Sequence, residues 1–315
     1  PRSPPSEMVL HVVGVGLGDE QDITLRGLNA LKRCSKIYLE AYTSVLTVPK
    51  EQLEEAWGVA IEIADRQLCE EGCEEAILQR ALTEEVALLV VGDPFGATTH
   101  TDLLHRAREM AVQTSVVHNA SIMNAVGCCG LQLYRFGEAI SICFFSPHWR
   151  PDSFYDKLLA NRASGLHSLL LLDIKVKEPT MSSLARGKPE YMQPRFMTVR
   201  QASLQLIEVE EARGGGICGP EAHAVAVARV GASTQQLVHG PLRELATVAM
   251  GAPLHSMVLV GSADEVELGM LDSFCTRAAA AVQMSEDEMQ AADAETLANA
   301  EAYEGRGAAG GRVVF

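Results

Sequence analysis

The chain has 315 residues, 47% of them apolar, and a formal charge of −15. That length favours two domains over one, with enough apolar material for sizeable cores. The acidic balance excludes non-specific nucleic-acid binding, which needs a phosphate-neutralising basic face, and no stretch approaches the ~20 apolar residues of a membrane span. The expectation is a soluble, cytoplasmic protein with neither nucleic acid nor membrane as a partner.

Eight cysteines stand at positions 34, 69, 73, 128, 129, 143, 218 and 275, with no Cys-x-x-Cys pair. Their spacing suits neither zinc nor a secreted disulfide framework, so they read as small buried apolar residues in a reducing compartment.

Pro1 to Glu7 is rich in proline and serine and reads as a disordered leader. From Met8 the pattern predicts a strand (Val9 to Val13), a glycine-rich turn (Gly14 to Gly18) and a helix from Asp22, its N-cap, to Arg33. The alternation goes on with strand Lys36 to Glu40, helix Lys50 to Trp57, strand Val59 to Ile63, helix Glu70 to Leu82 and strand Val86 to Val91. Helix Thr101 to Met110 and strand Thr114 to Val117 complete it. Strict rotation of strand and helix implies a parallel sheet.

A second run begins after Asn119. A helix is expected over Ser121 to Tyr134, strands at Ala139 to Phe145 and His167 to Ile174, and helices at Asp152 to Arg162 and Thr198 to Arg213. Strands at Ala222 to Val230, Gln235 to His239 and His255 to Val260 and a helix over Asp264 to Phe274 follow. The fold class is therefore α/β, with an N-terminal domain over 8–119, a C-terminal domain over 120–277, and largely parallel or mixed sheets. The tail, 278–315, reads as mostly disordered; from Ser285 onward it carries seven acids against two arginines.

Two glycine-bearing turns invite a ligand. The apolar run Leu88 to Val91 stops at Gly92-Asp93-Pro94, and open α/β sheets bind small molecules beyond the carboxyl ends of their strands. Gly96 would let main chain approach a ligand, while Asp93 before proline also has a plain use in starting a turn. Gly14 to Gly18, with Glu40 ending the next strand, superficially resembles a dinucleotide fingerprint, but the third glycine is one position early. An NAD(P)-dependent oxidoreductase and a non-enzymatic partner-binding module therefore stand as alternatives. No Walker loop occurs, and His100 and His105 are five apart, off the helical spacing of a metal pair, so no metal site is expected. Asn119 to Asn124 can cap the next helix or offer free amides to a ligand.

In order along the chain, Gly14-Val15-Gly16-Leu17-Gly18-Asp19, Tyr38 to Ser44, Gly92 to His100 and His118 to Gly130 are followed by Trp149-Arg150-Pro151 and Leu171 to Lys175. Ala228-Arg229-Val230-Gly231 and Pro253-Leu254-His255-Ser256 complete the series. This series resembles the diphthine synthases, S-adenosylmethionine-dependent methyltransferases of diphthamide biosynthesis with a tetrapyrrole-methylase-like fold. The Gly127-Cys128-Cys129-Gly130 block looks like the eukaryotic branch.

The resemblance implies a homodimer of two-domain protomers with S-adenosylmethionine in the cleft between domains. It implies cofactor contacts at Leu17, Asp93, Gly96, Ser121, Ile122, Leu172, Val230 and His255, several through main chain. The implied protein substrate is translation elongation factor 2, whose 3-amino-3-carboxypropyl-histidine is methylated on its amine and, in the eukaryotic branch, on its carboxylate. No catalytic residue is assigned. Arg150, Lys175, Lys177, Arg195 and Arg229 could pair with the substrate carboxylate or with acids of the protein itself.

Overall fold

The computed structural model describes residues 8–41, 46, 48–65, 68–69, 72–97, 100–176 and 191–304. The expected leader (1–7), the end of the acidic tail (305–315) and Lys177 lie outside the described residues. Contacts divide the chain into two units, Pro1–Ala125 with Arg229–Thr234, and Val126–Ala228 with Gln235–Phe315. The sequence suggests a single cut near residue 119; instead a short segment of the second run groups with the first.

The first unit contains β1 (Val9–Gly14), α1 (Leu25–Leu31), β2 (Lys36–Glu40), α2 (Lys50–Trp57) and β3 (Glu62–Ala64). A π-helical turn (Glu74–Leu78) runs into α3 (Gln79–Ala81), followed by β4 (Val86–Val90), α4 (Thr101–Glu109) and β5 (Gln113–Val117). The five strands lie in the order β3-β2-β4-β1-β5, and every pair is parallel.

Alternate residues of the central strands feed two cores. Leu10, Val12, Leu88 and Val90 pack with Ile77, Leu78 and Leu103 on one face. Val13 and Leu89 pack with Leu31, Leu53 and Trp57 on the other. Covered on both faces, β4 is buried throughout, which is why it reads as an unbroken apolar run. Each leucine there contributes roughly 1.5–3 kcal/mol by leaving water.

Helix α1 starts later than expected. Its cap is Thr24, whose side chain accepts from Gly27 N, because Asp22 is used elsewhere. The helix expected over Ser121 to Tyr134 is also broken, into α5 (Ile122–Ala125) and 3-10 turns at Val126–Cys129 and Leu133–Arg135. Gly130, at φ +93°, ends it, and Met270 packs where a Cβ would stand.

The second unit adds β6 (Ile140–Ile142), α6 (Phe154–Ala163), β7 (Ser168–Leu172) and a ribbon of β8 (Ile174–Lys175) with β9 (Arg195–Phe196). Then come α7 (Val199–Arg213), β10 (His223–Ala228), β11 (Gln236–Pro241), α8 (Leu242–Leu245), β12 (His255–Leu259), α9 (Glu265–Phe274) and β13 (Thr276–Arg277). Its six-stranded sheet, β13-β11-β10-β12-β7-β6, is mixed, antiparallel at its centre and parallel at both edges. Thr198 with Gln201, and Asp264 with Glu267, form reciprocal capping boxes on α7 and α9.

The tail corrects the sequence expectation. Ala278 is buried, and Glu286–Glu304 forms a helix, α10. Arg200 grips Asp293 with two bonds of 2.9 and 2.7 Å, and Gln201 Nε2 donates to Thr296 Oγ1 at 2.6 Å. Composition alone misses this because the stabilising partner sits on α7, far away in sequence.

Candidate functional site

In the first sheet the connection from β1 leads to β2 on one side, and that from β4 leads to β5 on the other, although β1 and β4 are neighbours. Such a switch point opens a crevice at the carboxyl ends of the strands. The loops leaving β1 and β4 are laced together there: Gly16 N donates to Gly92 O (3.3 Å) and Gly92 N to Gly16 O (2.7 Å), both residues having φ +82°. A Cβ on Gly14 would come within 2.6 Å of Gly92 O and 2.9 Å of Asn119 Cβ, so the crossing tolerates no side chain.

The dinucleotide-like loop is closed from within. Asp22 Oδ2 accepts from Leu17 N (3.2 Å) and Gly18 N (2.8 Å), occupying the amides a pyrophosphate would need. Gly18 lies against Gly231, where a Cβ would come within 2.8 Å of the Gly231 carbonyl. This approach brings 229–234 onto the first unit.

Asp93 links the loops after β4 and β5. Its Oδ1 accepts from Phe95 N (2.9 Å), the expected Asx turn, while Oδ2 accepts from Asn119 N (2.9 Å) and His118 Nδ1 (3.0 Å). Burial pushes this carboxyl up, but the amides of Phe95 and Asn119 and the imidazole outweigh it and hold the group below its ordinary value. Asn119 Nδ2 donates to Gly14 O (3.0 Å) and Asp22 O (2.9 Å), so one amide side chain ties the β5 loop to the β1 loop.

Ser121 opens α5: its Oγ accepts from Met123 N, and Asn124 Oδ1 accepts from Ser121 N. A side chain on Gly96 would collide with Ser121. The close approach expected at Gly96 is made to Ser121, which packs where a Cβ would stand. Ala97, next in the chain, has φ +60°, and Arg229 has φ +50°. Non-glycine residues in this region carry backbone strain, which concentrates at functional loops.

Of the residues expected at the cofactor, Leu17, Asp93, Gly96, Ser121, Ile122 and Val230 all fall in the first unit. Leu17 packs 3.7 Å from where a Cβ on Gly92 would sit and 3.5 Å from one on Gly231, beside Val230. Leu172 and His255 belong to the second unit, at the carboxyl end of β7 and the start of β12, where Leu171 pairs with Ser256. His255 Nε2 donates to Ala252 O, and the residue lines a cavity of about 200 Å³ with Phe144, Arg195, Phe196 and Glu295.

The basic candidates have structural partners. Arg150 pairs with Glu208, Lys175 lies 3.6 Å from Asp173, Arg195 stacks 4.6 Å over Phe144, and Arg229 Nε donates to Thr234 O.

At the opposite end of the first sheet, His11, Cys34 and Glu85 bring three potential metal-ligating atoms within 4.8 Å of one another. Hydrogen bonds account for this cluster: Glu85 Oε2 is bonded by His11 Nε2 (3.1 Å) and Arg33 Nε (3.2 Å), and the Cys34 thiol donates to Ala30 O. Burial and the Glu85 charge push that thiol up to about 12, so it stays protonated.

His118 opens the block His118 to Gly130, but local spacing assigns it no role; what marks it is an imidazole directly after the two valines that end β5, at the carboxyl edge of the sheet.

Residues 9–246 match the family model of the Tetrapyrrole (Corrin/Porphyrin) Methylases. The chain belongs to that family. Among tetrapyrrole methylase relatives, the diphthine methyl ester synthase of Eremothecium gossypii is 54% identical over 84% of this chain and 90% of its own length. That of Mus musculus is 52% identical over 84% and 96%. A crystal structure of diphthine synthase aligns with TM-score 0.73 at 31% identity, covering 85% of this chain and 96% of the other.

Proposed function

We propose that the chain is an S-adenosylmethionine-dependent methyltransferase of diphthamide biosynthesis. It acts on the 3-amino-3-carboxypropyl-histidine of translation elongation factor 2, trimethylating the amine and esterifying the carboxylate. The observation that carries this reading is the switch-point cradle of Gly14, Gly16, Gly92 and Asp93 in a tetrapyrrole methylase. Relatives about half identical to it over most of its length are named for the ester-forming step.

The cradle's chemistry suits a cofactor without phosphates. The loop amides of Leu17 and Gly18 are satisfied by Asp22, and the ionised Asp93 adds negative charge, which disfavours a pyrophosphate and favours a sulfonium. Leu17, Asp93, Gly96, Ser121, Ile122 and Val230, all of the first unit, would hold the cofactor. When bound, the cofactor supplies a methyl group on a positively charged sulfur. What remains for the protein is to hold the substrate amine in line and keep water out, and positioning of this kind can contribute up to roughly 7–11 kcal/mol in ideal cases. The protein works as a homodimer in the cytoplasm.

The test is mass spectrometry of elongation factor 2 bearing the unmethylated intermediate, incubated with enzyme and cofactor. Successive gains of one methyl per proton lost support the reading. An unchanged mass with protein that binds the cofactor contradicts the assigned substrate.

A further inference from the structure

We propose that His118, oriented by Asp93, is the general base that takes the proton from the substrate amine before each N-methylation. This rests on the reading above, since it concerns the same site and substrate.

An ionised carboxylate can only accept hydrogen bonds, so the 3.0 Å contact between His118 Nδ1 and Asp93 Oδ2 fixes the proton on Nδ1. The lone pair of the neutral ring is therefore on Nε2, which among the described residues carries no hydrogen bond. Asp93 is itself immobilised by the amides of Phe95 and Asn119. The Phe95 ring meets the imidazole at 5.7 Å between centroids, tilted by 52°. Asp22, on the neighbouring loop, turns its carboxylate to the Leu17 and Gly18 amides, so Asp93 is the acid that bonds the ring. A base held by a third group, with its other nitrogen free, is the arrangement that nucleophile activation requires.

The ring also stands in the right place. His118 follows β5 directly, at the carboxyl edge of the sheet beside the switch-point loops, and its side chain is 68% exposed.

The proton accounting sets the test. An alkylammonium has no lone pair; one N–H proton passes to His118 Nε2, the freed pair forms the N–CH3 bond, and the C–S bond breaks with its electrons going to sulfur. His118 then releases the proton to solvent. Each of the three N-methylations sheds one proton this way. Esterification sheds none, because a carboxylate attacks with a lone pair it already has. His118 is therefore required for amine methylation and dispensable for ester formation.

The experiment compares wild-type protein with His118→Gln and His118→Ala on two acceptors, elongation factor 2 with the free amine and elongation factor 2 already trimethylated but unesterified. The expected result is a loss of roughly 100-fold or more in N-methylation at pH 7. That loss shrinks as pH rises toward the range where the amine deprotonates unaided, and added imidazole partly rescues the alanine variant. Esterification and cofactor affinity stay at wild-type levels. Equal loss of both reactions, or none, overturns the proposal. Failure of the wild-type protein on both acceptors would instead sink the functional reading on which it rests.

Discussion

The two ends of the five-stranded sheet are built on opposite plans. At the amino end charges meet and cancel, with Glu85 held by His11 and Arg33 and Lys36 paired with Glu62. At the carboxyl end the chain gives up regularity: Gly16 and Gly92 adopt left-handed conformations, Ala97 is strained, and His118 offers an exposed imidazole. Both ends lie on the same strands, so the contrast separates what stabilises the fold from what the fold presents to a ligand.

Substitutions at each end should then break different properties. The largest effect is expected from Gly14→Val, whose side chain must enter the space held by Gly92 O and Asn119. Overpacking there should cost about 1–3 kcal/mol and abolish cofactor binding, checked by chemical denaturation and calorimetry on the folded fraction. Glu85→Ala should cost a similar 1–3 kcal/mol, roughly, because it strands the buried His11 and removes a partner of Arg33. Its cofactor affinity should match wild type, and a weakened affinity would show that the two ends are not independent.

Asp93 sharpens the contrast through pH. Its carboxyl is held below its ordinary value in the folded protein, so its contribution is fully present above about pH 3.9, the unfolded value, and is lost as pH falls through the lower folded value. Asp93→Asn should lower stability at neutral pH by about 1 kcal/mol and remove that acid-side loss, read from melting temperatures between neutral and acidic pH. The smallest effect belongs to Lys36→Ala: its partner Glu62 is half exposed, and removing the pair should change stability by less than about 1 kcal/mol, with cofactor affinity untouched.

Much of the first unit could be read directly from residue pattern. A strand covered on both faces must be apolar throughout, and Val86 to Val90 is; rotation of strands and helices required parallel pairing, and all pairs in this sheet are parallel. Asp93 was legible as a turn-former because its partner, Phe95, is only two residues away. What depended on long-range partners was not. Asp22 reads as an N-cap by position, yet it serves the loop before it, leaving the cap to Thr24. The bonds of His118 to Asp93 and of Asp293 to Arg200 join residues far apart in sequence, so no local spacing announces them. Gly96 was recognised as a point of close approach, but only the fold shows that Ser121 is what approaches.

The central claim is that the loops at the carboxyl end of the first sheet grip S-adenosylmethionine. Calorimetric titration of the cofactor into wild-type and Gly96→Val proteins addresses it most directly, since the added side chain displaces Ser121 without touching the sheet. The account predicts a saturable wild-type isotherm and at least a tenfold weaker variant, about 1.4 kcal/mol. Equal affinities in two folded proteins would contradict it.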